Sequence, residues 1–117
     1  MLPLRLDRQL IALVCKVAPG GFSGERIFEV KLANGNPYRS LAPRQFCWNS
    51  SGNLVEIDEP KTEVDGMIAA RIVDFIDDDQ FMVEIPDGET IAVDKGIIKD
   101  RPTDIKPPME SAIHVSV

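Results

Sequence analysis

Apolar and polar residues alternate along much of the chain, and this alternation predicts β-strands. Phe28, Val30 and Leu32, for example, are separated by Glu29 and Lys31. Successive side chains of a strand point to opposite faces, so the three apolar side chains share one face. No stretch of about 11 or more residues keeps apolar residues at the helical period. The pattern therefore predicts an all-β protein.

One strand pattern occurs twice. Phe28-Glu-Val-Lys-Leu-Ala-Asn-Gly35 reappears as Phe81-Met-Val-Glu-Ile-Pro-Asp-Gly88, with Phe, Val and Gly kept in place. Each copy ends in an Asn-Gly or Asp-Gly pair. Such pairs predict type I′ hairpin turns, because both central positions of that turn need positive φ. We infer an internal repeat.

Further strands are predicted around each copy. Upstream, one face is formed by Ile11, Leu13, Cys15 and Val17 in the first half and by Ile68, Ala70 and Ile72 in the second. The loop at 18–25 is longer than its counterpart at 75–80. Short strands are predicted at 38–41 and 90–93, further segments at 45–48 and 96–98, and closing strands at 54–57 and 112–117.

These elements predict two tandem small barrels. Residues 1–58 form the first, residues 59–64 form a polar linker, and residues 65–117 form the second, with a Pro-rich segment and a C-terminal strand. Two strands, a turn, an Asn/Asp-Gly hairpin and further short strands in each half resemble an SH3-like barrel. Residues 67–93 in particular resemble the Tudor and KOW type.

The same pattern also resembles the S1-like OB barrel of bacterial translation initiation factor one, which is the alternative fold. Neither resemblance brings functional residues with it. A Tudor methyl-lysine site needs several aromatic rings around a cation, and the second half offers only Phe75 and Phe81. An S1-like RNA site needs exposed aromatic residues among basic ones, whereas the second half is rich in acidic residues.

Composition places the chain among ordinary globular proteins. It has 117 residues, of which 44% are hydrophobic and 27% charged, and its net charge is −6. This acidic balance argues against nucleic-acid binding, which depends on Lys and Arg neutralising phosphates. Residues 1–8 show no signal-peptide pattern, and no apolar run approaches the roughly 20 residues that span a bilayer. Cys15 and Cys47 form no Cys-x-x-Cys pair, so we expect buried, reduced thiols in a cytoplasmic protein that does not bind membranes.

The chain shows no pattern expected of an enzyme. His114 is its only histidine, and the sequence contains no nucleophile elbow, phosphate loop or dinucleotide fingerprint. Asp77, Asp78 and Asp79 lack the distal glutamate of a calcium loop and are interpreted as a solvated turn. We therefore expect no catalytic residues, no metal site and no cofactor.

Aromatic residues are concentrated in the first half. The predicted partner-binding residues are Phe22, Tyr38, Arg39, Arg44 and Trp48. Tyr, Trp and Arg are enriched at interface hot spots, and Phe22 lies in a glycine-rich loop that cannot hide a ring. The alternative is that Phe46 and Trp48 fill the ends of a small barrel.

The leading hypothesis is a non-catalytic module that binds a protein or peptide through this aromatic and arginine face. One alternative is a nucleic-acid or ribosome-associated protein using Lys16, Lys31, Arg39 and Arg44. Another is an accessory subunit of an enzyme. The sequence does not indicate an oligomeric state.

Overall fold

A computed structural model describes residues 10–102 and shows an all-β protein with a curled, half-barrel sheet. Its eight strands are β1 (Leu10–Pro19), β2 (Glu25–Lys31), β3 (Pro37–Pro43), β4 (Cys47–Asn49), β5 (Val64–Phe75), β6 (Gln80–Glu84), β7 (Thr90–Asp94) and β8 (Ile98–Asp100). Single-turn 3₁₀ helices, Arg44–Phe46 and Lys95–Ile97, precede β4 and β8. No helix within residues 10–102 is long and apolar enough to cross a membrane.

The strands of both halves form one sheet, with the order β3-β2-β1-β5-β6-β7. The two halves meet where β1 pairs with β5 in antiparallel register, from Leu10 opposite Arg71 to Val17 opposite Val64. The two halves therefore share one continuous sheet instead of forming a separate sheet each. The physical reason is that the first strand of each half uses its backbone hydrogen bonds to pair with the other half.

The short strands cross between the halves in the same manner. β4 pairs with β5, and β8 pairs with β1. At the first crossing Asn49 lies opposite Gly66, and a Cβ added at Gly66 would be 2.6 Å from the carbonyl oxygen of Trp48. Only glycine permits this approach of two backbones.

The main core lies on the concave side of the sheet. The predicted inward faces are confirmed: the side chains expected to point inward from β1 and β5 are all buried in one cluster that also contains Phe28 and Val83. Phe81 packs against this cluster as predicted, but its ring is only half-buried and lies edge-on to Phe75, with ring centroids 5.0 Å apart.

Both predicted hairpins are present, but their turns are not type I′. Gly35 and Gly88 have φ near +92° and +93°, whereas no other residue type in the described chain has positive φ. The N–H of each glycine donates to a carbonyl three residues earlier, on Leu32 and Ile85. Each loop is therefore a type I turn closed by a left-handed glycine, the three-residue alternative for a hairpin.

The predicted strand at 54–57 does not form. Only an isolated bridge joins Leu54 to Trp48, and the carbonyl groups of Glu56 and Ile57 accept hydrogen bonds from Arg26 instead of joining a strand. The predicted C-terminal strand at 112–117 and His114 lie outside the described residues.

Candidate partner-binding surface

Phe22 lies at the tip of the loop between β1 and β2. Its side chain is 75% exposed, the highest exposure among the large hydrophobic residues that the structure describes. The loop is closed by a hydrogen bond from the Glu25 N–H to the Phe22 carbonyl. The exposure predicted from the glycine-rich sequence is therefore confirmed.

Arg26, the second residue of β2, is buried, with only 3% of its surface exposed. Its guanidinium donates five hydrogen bonds to backbone carbonyls, at 2.6–3.1 Å. Two of these carbonyls belong to Ser23 and Glu25, and three belong to the segment 56–59. All five N–H groups of the side chain thus have an acceptor, which offsets the cost of burying the charge.

These hydrogen bonds connect two backbone segments, each of which carries an exposed apolar side chain. The Arg26 guanidinium bonds to the carbonyl groups of Ser23, which follows Phe22, and of Ile57, whose side chain is 62% exposed. We call Phe22 and Ile57 the Phe22 surface. Sequence reasoning missed Arg26, although its alternation with Phe28 and Val30 already places it on the inward face of the strand.

Trp48 is not a surface residue. It is fully buried on the convex side of the sheet, in a small cluster with Ala12 and Ala69. Phe46, Leu54 and Met67 pack against this cluster and are partly exposed. The prediction that Trp48 contacts a partner is thus corrected. Its burial agrees better with the alternative, in which Trp48 is a packing residue of the fold. Its Nε1–H has no hydrogen-bond partner, the only such buried side-chain atom among residues 10–102.

Tyr38 connects the two halves. Its hydroxyl donates to Oδ2 of Asp87 at 2.9 Å, in the turn before β7. This hydrogen bond is the main reason that the pKa of Tyr38 is raised. Burial opposes ionisation of Asp87, but hydrogen bonds from Ser40, the backbone and Tyr38 outweigh it and lower the pKa of this carboxyl. Tyr38 is therefore fixed by the protein itself.

Arg39 belongs to a row of alternating charges on the convex face. Arg39 lies opposite Glu29, Glu29 opposite Lys16, and Lys16 opposite Asp65. The Arg39 guanidinium is 2.8 Å from Glu29 and 3.2 Å from Glu63, and the Lys16 ammonium is 2.6 Å from Asp65. Each cation on this row has a carboxylate beside it, so the row carries little net charge.

Arg44 donates from its guanidinium to the Val55 carbonyl at 3.1 Å, and its backbone N–H bonds to the Gly24 carbonyl at the end of the Phe22 loop. The five predicted residues are therefore not one face. Arg44 is bonded through its backbone to the loop that carries Phe22, whereas Tyr38 and Arg39 point to opposite sides of β3 and Trp48 is buried. Residues on opposite faces of a strand cannot contact one flat partner together.

The thiols of Cys15 and Cys47 are both free and buried in the main core, as predicted. Burial raises the pKa of both groups, that of Cys47 to about 12. Thiols with a raised pKa are weak nucleophiles at neutral pH, because the thiolate is the reactive form. No group of three His, Cys, Asp or Glu residues in the described range is placed to hold a metal ion.

Comparisons of the chain with family models, with curated proteins and with solved structures find no match.

Proposed function

We propose that this protein is a non-catalytic interaction module that binds a protein partner through the Phe22 surface. The observation that carries the proposal is the pair of exposed apolar side chains, Phe22 and Ile57, on segments bonded to one buried arginine. Burying a large apolar side chain away from water is favourable in free energy, and the side chains of both residues are still exposed to water.

Order in the loop adds to this argument. Binding costs less free energy when the contacting segment already has its bound conformation. The five Arg26 hydrogen bonds restrict the segments that carry Phe22 and Ile57. A ring presented on such a loop has the character of an interface anchor. Arg44 is bonded to this loop through its backbone N–H and, through its guanidinium, to the Val55 carbonyl on the segment that leads to Ile57.

Nucleic-acid binding is the weaker alternative. Lys16 and Arg39, two of the four cations assigned to it, already have carboxylate partners. The first half, residues 1–58, carries seven basic and five acidic side chains, and the second half, residues 65–117, carries five basic and twelve acidic ones. The first half thus has an excess of only two positive charges and the second half is acidic, whereas nucleic-acid affinity depends on many cations that neutralise phosphates together. An accessory role beside an enzyme needs a protein-binding surface too, so it is compatible with the proposal.

We also propose that the two halves, residues 1–58 and 65–117, are copies of one SH3-like unit joined by residues 59–64, in a cytoplasmic protein. Three parallels support a repeat: the same glycine-closed turn in each half, a 3₁₀ helix before the last short strand, and the pairing of that strand with the other half. In this arrangement the copies share one sheet.

The experiment compares three proteins in a nuclease-treated lysate: wild type, Phe22→Ala and Arg71→Ala, the last a surface change on β5. Phe22→Ala should unfold within about 0.5 kcal/mol of wild type in urea, as exposed side chains do. It should weaken binding of the captured partner by about 1–2 kcal/mol. Proteins retained equally by all three chains, or by none, would contradict the proposal.

A further inference from the structure

A slot separates the turn between β2 and β3 from the outer edge of β7. Its volume is about 510 Å³, and it is lined by Leu32, Ala33 and Tyr38 on one side and by Glu89, Ile91 and Ala92 on the other. Two contacts span it at present. These are the Tyr38–Asp87 hydrogen bond and a backbone bond of 2.8 Å from the Ala33 N–H to the Ala92 carbonyl.

The Ala33–Ala92 bond shows which backbone groups of β7 face the slot. In an antiparallel strand the N–H and C=O of one residue point to the same side. The Ala92 N–H therefore faces the slot with its carbonyl, and the groups of Thr90, two residues away, face it as well. Among residues 10–102, β6 is the only strand that pairs with β7. The Ala92 N–H and both Thr90 groups thus form an open strand edge.

The side chains around this edge are apolar, uncharged polar or acidic, and none is basic. Glu89 is the one charged residue that lines the slot, Asp87 lies in the turn before β7, and Asp94 is the last residue of β7. Residues 64–102 as a whole carry ten acidic and four basic side chains. An incoming segment is therefore attracted if it is basic and repelled if it is acidic.

We propose that the slot binds a basic, extended peptide segment of a partner protein, which adds to β7 as a further strand. Its backbone pairs with Thr90 and with the Ala92 N–H, and Ala33 keeps the next position on the same edge. Every second side chain packs toward Leu32 and Ile91, and the lysines or arginines of the segment are attracted by Glu89, the charged residue that lines the slot. Strand addition of this type takes affinity from backbone bonds and specificity from alternate side chains. The slot contains neither Phe22 nor Ile57, so the inference does not rest on the proposed function.

The probe is a fluorescein-labelled heptapeptide of alternating lysine and valine, and fluorescence anisotropy reports its binding to the full chain. The matched control peptide is N-methylated at every internal residue, which removes the backbone donors and keeps side chains and charge. We expect the N-methylated peptide to bind at least tenfold more weakly. A peptide with glutamate in place of lysine should not bind.

Protein variants test the two halves of the argument separately. Ala92→Pro removes the N–H that faces the slot and should weaken binding at least fivefold. Proline is tolerated at this position because the missing N–H lies on the edge of the sheet and not in its ladder. Glu89→Gln should weaken it two- to threefold, whereas Asp78→Asn, which removes the same charge from an exposed turn, should not. Circular dichroism shows whether Ala92→Pro is folded, and the N-methylated peptide tests strand pairing without any change in the protein.

Three results would overturn the proposal. Equal binding of the N-methylated peptide would mean that charge alone attracts the probe. Equal effects of Glu89→Gln and Asp78→Asn would place the peptide outside the slot. No binding at 1 mM peptide would mean that the edge is not open to a partner, the result expected if another segment of this chain pairs with it.

Discussion

Replacing Arg26 by methionine removes a buried cation and all five of its hydrogen bonds while keeping a side chain of similar length. Each backbone carbonyl that loses its donor and stays away from water costs about 1–3 kcal/mol. Ser23 and Glu25 border an exposed loop and can turn toward water, whereas three carbonyls of residues 56–59 converge on the guanidinium. If two of them remain unpaired, Arg26→Met lowers the free energy of unfolding by about 3 kcal/mol.

Urea titration followed by tryptophan fluorescence measures this change. With a slope of about 1–1.5 kcal/mol per molar urea, the expected midpoint shift is about 2 M or more. Arg26→Lys serves as the matched variant, because it keeps the charge but has three donors in place of five. It should fall between wild type and Arg26→Met. A loss below about 1 kcal/mol for Arg26→Met would refute the assignment of Arg26 as the group that joins these two segments.

Three further outcomes are expected. Gly66→Ala should destabilise the fold by more than about 2 kcal/mol in urea, since its Cβ would be 2.6 Å from a carbonyl oxygen, whereas Gly24→Ala, with open space around it, should be near neutral. Trp48→Phe should cost clearly less than the roughly 3–5 kcal/mol of Trp48→Ala, because the indole N–H that it removes has no partner. Burial raises the pKa of Cys47 from 9.0 to about 12, so on raising the pH this thiol ionises in the unfolded chain before it does in the folded protein. The free energy of unfolding should therefore fall as the pH rises above about 9, and it should fall less steeply in Cys47→Ala. A flat profile for the wild type between pH 9 and pH 11 would contradict the last of these.

The candidate surface was only partly predictable from the sequence. The exposure of Phe22 follows from its glycine-flanked loop, because such a loop supplies no neighbouring side chains to cover a ring. The burial of Trp48 does not follow, since its position opposite Met67 depends on a strand that the other half provides. The types of residue in a segment do not show which of their side chains lie on the same face of the folded protein.

Local pattern by itself determined the inward faces of β1 and β5 and the positions of the two hairpins, because side-chain alternation and turn sequences are properties of adjacent residues. It did not determine the type of the turns or the irregular course of residues 54–57. Tertiary structure decided which strands are neighbours. Alternation specifies the face that a strand buries but leaves both of its edges open to any partner. The pairing of β1 with β5, the crossing of β4 and β8, and the satisfaction of Arg26 by residues 56–59 all join segments far apart in the chain. The open edge of β7 is a product of the same long-range pairing.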